Sequence, residues 1–398
     1  MLCTRILTTL MAALAGLWAN AQKNDGMHRY STDFTLSPTN FTDTIPIIIE
    51  DGQIYLTVSI DGRRYVFNLD TGSSQGVVYV DGPIRYSNPV GNVESRDANG
   101  KTDTIPVVRL PEMRIGNLSI GNYTCVLLKR PKGQYRYDGI IGFDLFNKGI
   151  HAKIDTHEKV LVVSNDKHCF SADGGYVMRY RLRRFVPYVS LYPFNKQKEE
   201  MLFDTGSPEF LVINDGSLER MRKRDDRVSG FIEEETHGQS AIAHHGTEEH
   251  RTISYLTIPR LPWGEIVFRD IHTHTTQGSS KIGAPLLSYG SVIINPKRKT
   301  LTFIPFEDRA EITIDNKLQD ISYVPHNGRA MVGMVRNNST PYRNGFRQGD
   351  IILSINSDEI YSFDAFRQYS FVRGERYVFL LRTHEGMFKK VVVDSWGE

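Results

Sequence analysis

One sequence feature constrains this chain more than any other. It carries the tetrapeptide Asp-Thr-Gly-Ser twice, as Asp70-Thr71-Gly72-Ser73 and Asp204-Thr205-Gly206-Ser207. Each copy ends an apolar run, Phe67-Asn68-Leu69 in the first and Met201-Leu202-Phe203 in the second. A single Asp-Thr-Gly at the end of a strand is most simply a capped turn. Two copies in matching halves imply two loops related by an approximate two-fold axis, with a carboxylate from each brought together. Two carboxylates at close range cannot both ionise cheaply, so they share a proton, and such a pair can activate a water.

The repeat extends beyond the tetrapeptides. Leu110-Pro111-Glu112-Met113-Arg114-Ile115-Gly116 aligns with Ile258-Pro259-Arg260-Leu261-Pro262-Trp263-Gly264, and Gly139-Ile140-Ile141-Gly142 aligns with Ser280-Lys281-Ile282-Gly283. The landmarks occur in the same order in both halves. The second copy is longer by about 14 residues between its first two landmarks. Two copies indicate a duplicated domain, not a solenoid. Residues 54–60 alternate, turn at Asp61-Gly62 and continue through 65–69, which reads as a hairpin. Helical periodicity is scarce before residue 310; residues 217–224 are the best candidate for a short helix.

A chain of 398 residues exceeds one ordinary core, so two or three domains are expected. A hydrophobic fraction of 40% and a charged fraction of 24% are those of a globular protein. A formal net charge of +2, without a long Lys/Arg run, argues against a nucleic-acid partner. The first residues read as a targeting segment. Arg5 precedes an apolar run at 6–18 that is too short to span a bilayer, and Ala19-Asn20-Ala21 fits a cleavage site. Residues 1–21 are therefore expected to be a signal peptide, with no integral membrane segment after its removal and a periplasmic or extracellular destination. Cys125 and Cys169 then remain, either as a disulfide or as two separate thiols. The histidines at 237, 244, 245 and 250 lie in a polar stretch. His244 and His245 are adjacent and would point to opposite faces of a strand, so no metal site is expected.

On these residues the chain resembles the bilobal aspartic peptidases of the pepsin/retropepsin clan over residues 40–310. The resemblance implies an all-β fold: two duplicated pepsin/retropepsin-like β-barrel lobes, residues 28–170 and 171–312, with the active site between them. It implies that Asp70 and Asp204 are catalytic. Thr71, Gly72, Ser73, Thr205, Gly206 and Ser207 would support them, and the two Ile-Gly segments would brace the loops from behind. The threonine hydroxyls would bond across the axis. Ser73 and Ser207 would donate to the outer carboxylate oxygens and favour activity at acidic pH. Asn99-Gly100 marks the expected tip of a flap over the cleft. Polypeptides are the implied substrates, no cofactor or metal is required, and one chain suffices for the pair.

The pattern changes after about residue 306. The segment from Ser339-Thr340-Pro341 through Gly345-Phe346-Arg347-Gln348-Gly349-Asp350, followed by the alternating residues 351–355, is similar to a PDZ domain of the bacterial protease-associated kind. That resemblance covers residues 313–398 and implies a small α+β domain with a helix at 362–369. It also implies a peptide-binding loop near Ile321, Ser322 and Tyr323, which would take a peptide or protein C-terminus. A different class of reading keeps the same architecture without chemistry: an inactive peptide-binding protein that uses the interlobe cleft and the PDZ domain.

Overall fold

A computed structural model describes residues 30, 32–50, 52–96, 102–130, 136–194, 196–240, 242–243, 246–247 and 249–396. It is mostly β, as the alternating sequence requires. Strands Gln53–Ile60 and Arg63–Leu69 pair from Tyr55↔Asn68 to Ile60↔Arg63. The turn between them has Asp61 at φ 49° and Gly62 at φ 73°. Two left-handed residues in succession match the right-handed twist of the strands, which is why Asp-Gly stands there. The second lobe repeats the arrangement with Val186–Phe194 against Gln197–Asp204.

In each lobe the strand leading to the Asp-Thr-Gly loop runs parallel to the short strand of the Ile-Gly segment. Phe67, Asn68 and Leu69 pair with Gly139, Ile140 and Ile141, and Leu202, Phe203 and Asp204 pair with Lys281, Ile282 and Gly283. These strands are buried on both faces and are accordingly apolar. Phe67, Leu69, Phe203, Ile141 and Ile282 are all fully buried.

The two lobes share one sheet. Its strands run in the order Thr42–Glu50, Val160–Ser164, His151–Asp155, Gly290–Asn295, Thr300–Pro305 and Tyr176–Arg183, antiparallel at every step. The junction between lobes is the ladder from Ala152↔Ile294 to Ile154↔Val292. One apolar core runs through both lobes, with Phe143 of the first meeting Tyr180 edge-on at 5.7 Å between ring centres.

Each lobe also extends a hairpin. In the first it is Gly91–Arg96 with Thr102–Arg109; the expected tip, Asn99-Gly100, lies outside the described residues. In the second it is Ile232–Gly238 with Arg251–Trp263. The expected helix at 217–224 is Asp215–Arg224, started by Asn214, whose side chain accepts from the Ser217 N–H at 3.0 Å. Cys125 is buried and Cys169 partly so, and both thiols are free.

The last part of the chain forms a separate six-stranded sheet with its own core, built on Val332, Phe346, Ile352, Phe379 and Leu381. Helix Phe363–Gln368 packs on it and is capped by Ser362, which accepts from Ala365 N–H at 3.0 Å. The expected loop at Ile321, Ser322 and Tyr323 is instead the start of a strand, Ile321–His326, at the edge of this sheet. It alternates in burial and pairs with Arg329–Val335, with a bulge at Gly333. Ser322 is buried and its hydroxyl donates to Gln239 O at 2.6 Å, so it has no loop conformation and no free hydroxyl to offer a ligand.

This C-terminal unit sits on the second lobe's hairpin. Gln239 N–H donates to Gly333 O at 3.0 Å, and Thr236 Oγ1 donates to Val335 O at 3.1 Å. Met334 packs with Ile253 and Tyr255 in a small apolar cluster.

Candidate active site between the lobes

The strand ends deliver Asp70 and Asp204 into the same space. Asp70 N–H is held by Ile141 O at 3.0 Å, which fixes the chain as it leaves the strand. The loop then curls so that the Gly72 and Ser73 N–H groups donate to Asp70 Oδ1 at 2.8 and 3.1 Å. In the other loop Gly206 N–H donates to Asp204 Oδ1 at 3.0 Å. The two carboxyl groups face each other closely enough that Asp204 raises the proton affinity of Asp70.

Glycine at 72 and 206 is a geometric requirement. A Cβ on Gly72 would stand 2.5 Å from Asp204 Oδ1, and one on Gly206 would stand 2.5 Å from the Asp70 carboxyl carbon. Each loop's glycine is the space that the opposite lobe's carboxylate fills.

Thr71 and Thr205 are fully buried and tie the loops together. Thr71 Oγ1 donates to Phe203 O at 2.7 Å and accepts Thr205 N–H at 3.0 Å. Thr205 Oγ1 donates to Leu69 O at 2.6 Å and accepts Thr71 N–H at 3.0 Å. Each hydroxyl thus serves the other lobe twice. The Ile-Gly segments close the loops from behind: Phe143 N–H donates to Ser73 O at 2.7 Å, and Ala284 N–H donates to Ser207 O at 3.0 Å.

Ser73 and Ser207 do not serve the outer carboxylate oxygens. Ser73 Oγ donates to Gln75 O at 2.7 Å, and Ser207 Oγ donates to Glu209 Oε2 at 2.9 Å. A hydroxyl two residues from an acceptor finds it locally before it reaches a tertiary partner. The outer position at Asp204 is taken by Lys281, whose Nζ lies 3.1 Å from Asp204 Oδ2. Sequence reading placed Lys281 in the structural brace but gave it no chemical part. The signal was a cation where the first lobe has Ile140. Gln53 was also missed; its Nε2 donates to Gly206 O at 2.7 Å, and its Oε1 accepts the Tyr55 hydroxyl at 2.9 Å.

The electrostatics are uneven across the pair. Burial, and then the charge of Asp204, push the Asp70 carboxyl up to about 8. Burial also opposes the charge on Lys281, but Asp204 and Glu209 outweigh it and hold the ammonium above its usual range. Deeper in the first lobe, Asp144 is fully buried and is pushed up to about 7 by burial, although Tyr123 OH and Gly76 N–H both donate to it.

Of the polar-stretch histidines, His237 Nδ1 lies 3.1 Å from Thr252 Oγ1, and His250 Nδ1 lies 3.0 Å from Gln348 Nε2. His244 and His245 lie outside the described residues. Among the described residues no cluster of three metal-ligating side chains occurs, and no helix is long and apolar enough to cross a membrane.

Comparison with known proteins finds a family match over part of the chain. A family model described as aspartyl protease matches residues 56–145, a span that includes Asp70 and the first brace but not Asp204. Among solved structures, the aspartic proteinase from Irpex lacteus is similar over 67% of this chain and 97% of that one, at 10% identity and a TM-score of 0.43. No curated protein matches.

Proposed function

We propose that the chain is an exported aspartic endopeptidase that hydrolyses peptide bonds through a water activated by Asp70 and Asp204. The observation that carries this reading is the reciprocal bonding of two buried threonines, which holds the loops so that each carboxylate fills the glycine gap of the other. A binding protein has no use for that precision. One carboxyl of the pair carries a proton and the other does not. The ionised group takes a proton from water as the oxygen attacks the scissile carbonyl carbon. The protonated group donates to the carbonyl oxygen. The resulting tetrahedral species collapses when the amide nitrogen is protonated and the C–N bond breaks. The proton taken from water thus leaves on the amine product, and no covalent enzyme intermediate forms.

The C-terminal unit is read as a PDZ-type domain that recruits polypeptide. Its edge strand Ile321–His326 and the helix Phe363–Gln368 face each other, with the Tyr323 and Phe366 rings 4.6 Å apart, and an extended peptide would add to that edge.

The test is cleavage of a denatured protein mixture between pH 3 and 9 by the wild-type chain, Asp70→Asn and Asp204→Asn. The expected result is cleavage by the wild type and a loss of at least about 100-fold in each variant. Equal inertness of all three across the range would favour the peptide-binding alternative.

A further inference from the structure

The two Ile-Gly braces are near copies except at one position. Where the first lobe has Ile140, packed among apolar neighbours such as Val77 and Val107, the second has Lys281. The lysine is not on the surface: its side chain is 14% exposed and that of Asp204 is 10% exposed. The charged groups acting on it are Asp204 on the strand paired with its own, Glu209 beyond the active loop, and Asp70 from the other lobe. A cation this enclosed is costly unless paired, and Asp204 pairs it directly.

A symmetric pair of acids leaves open which one keeps the proton. A fixed cation against one member resolves the choice, because an opposite charge at this range favours the ionised form of its neighbour. We propose that Lys281 is a positioning residue that assigns the two roles, keeping Asp204 as the carboxylate that accepts the proton from water and leaving Asp70 as the acid that donates to the carbonyl oxygen. The assignment rests on the peptidase reading above. Its consequence is a pair that stays singly protonated through neutral pH. The carboxyl of Asp70, held up by burial and by the Asp204 charge, releases its proton only around pH 8. The acidic working range expected from serine donors does not follow here, since both serines are engaged elsewhere.

The experiment is the pH profile of kcat/KM on a fluorogenic peptide for the wild type, Lys281→Met and Lys281→Arg. The wild type should hold its rate to near pH 8. Losing the cation removes a charge that favours ionisation of both carboxyls, so both limbs of the Met variant should move to higher pH. A shift of about one unit corresponds to a tenfold loss of rate on the acid side. Arg should return the limbs toward the wild type. A Met variant with lower kcat but unmoved limbs would reduce Lys281 to a packing role and overturn the proposal. A readout without turnover separates this from failure of the peptidase reading. In protein labelled with 13C at the Asp carboxyls, the resonance lost in Asp204→Asn should be that of a carboxylate at pH 6, and the one lost in Asp70→Asn that of a carboxylic acid. The reverse assignment would overturn the proposal even in an active enzyme. An inactive wild type with the expected resonances would sink only the peptidase reading.

Discussion

At the scale of single residues, what matters most is where buried acids keep their protons. Asp70 and Asp144 both have folded-state values above the ordinary carboxylate range, about 8 and about 7, with burial the first cause in each. For an acid shifted upward, the unfolded chain releases its proton first. Stability is therefore fully present below about pH 4 and is lost as pH rises through the folded value. Each group can cost up to about 1.4 kcal/mol per pH unit within its window. The melting temperature should accordingly fall between pH 5 and pH 8. Asp144→Asn, which has no proton to lose, should flatten its share of that slope whatever it does to absolute stability. An unchanged slope would show that Asp144 does not titrate there. The same scale shows what could be read from sequence. Asp70 and Asp204 were legible because the motif around them is short and repeated. Lys281 was not, because a lysine's meaning depends on where the end of a long side chain comes to rest. The serines were misread because each hydroxyl is engaged by an acceptor two residues away, the Gln75 carbonyl for Ser73 and the Glu209 carboxylate for Ser207.

At the scale of elements, strands and turns followed from alternation and from punctuators such as Asp61-Gly62. The edge strand at Ile321 was expected as a loop because a family resemblance implies that a peptide-binding loop exists but locates it only approximately along the chain; the segment is the strand Ile321–His326. Contacts between elements were illegible. Gly333 sits at a bulge, and a Cβ there would stand 2.6 Å from Gln239 O and 2.8 Å from Val324. Its smallness lets the second lobe's hairpin approach the C-terminal sheet. Gly333→Ala should cost about 1–3 kcal/mol through overpacking and should raise hydrogen exchange at the Gln239 amide, which bonds Gly333 O. Unchanged protection there would mean that the contact is not maintained in solution.

At the scale of the whole molecule, the C-terminal unit is attached by more than its covalent link. A chain ending at Asp320 would uncover Ile253 and Tyr255, now 0% and 1% exposed, and would strip Thr236 Oγ1 and Gln239 N–H of their acceptors. Its melting temperature should drop by roughly 5 °C or more, since about 1 kcal/mol moves a domain of this size by a few degrees. If that unit recruits substrate, the truncated chain should also lose activity on proteins while keeping it on short peptides. Equal activity on both would leave the domain a structural buttress.

The sheet shared by the lobes has a mechanical meaning. Its six strands continue from one half to the other with ladder bonds across the junction at Ala152, Lys153 and Ile154. No loop interrupts it, and so there is no pivot. Any relative movement of the lobes would have to twist this shared sheet instead of turning on a few linker residues. A sheet of this kind would hold the two Asp-Thr-Gly loops at one spacing. Under the proposed function, admission of a polypeptide to the cleft would fall to the two hairpins, and one of these carries the C-terminal sheet on its back.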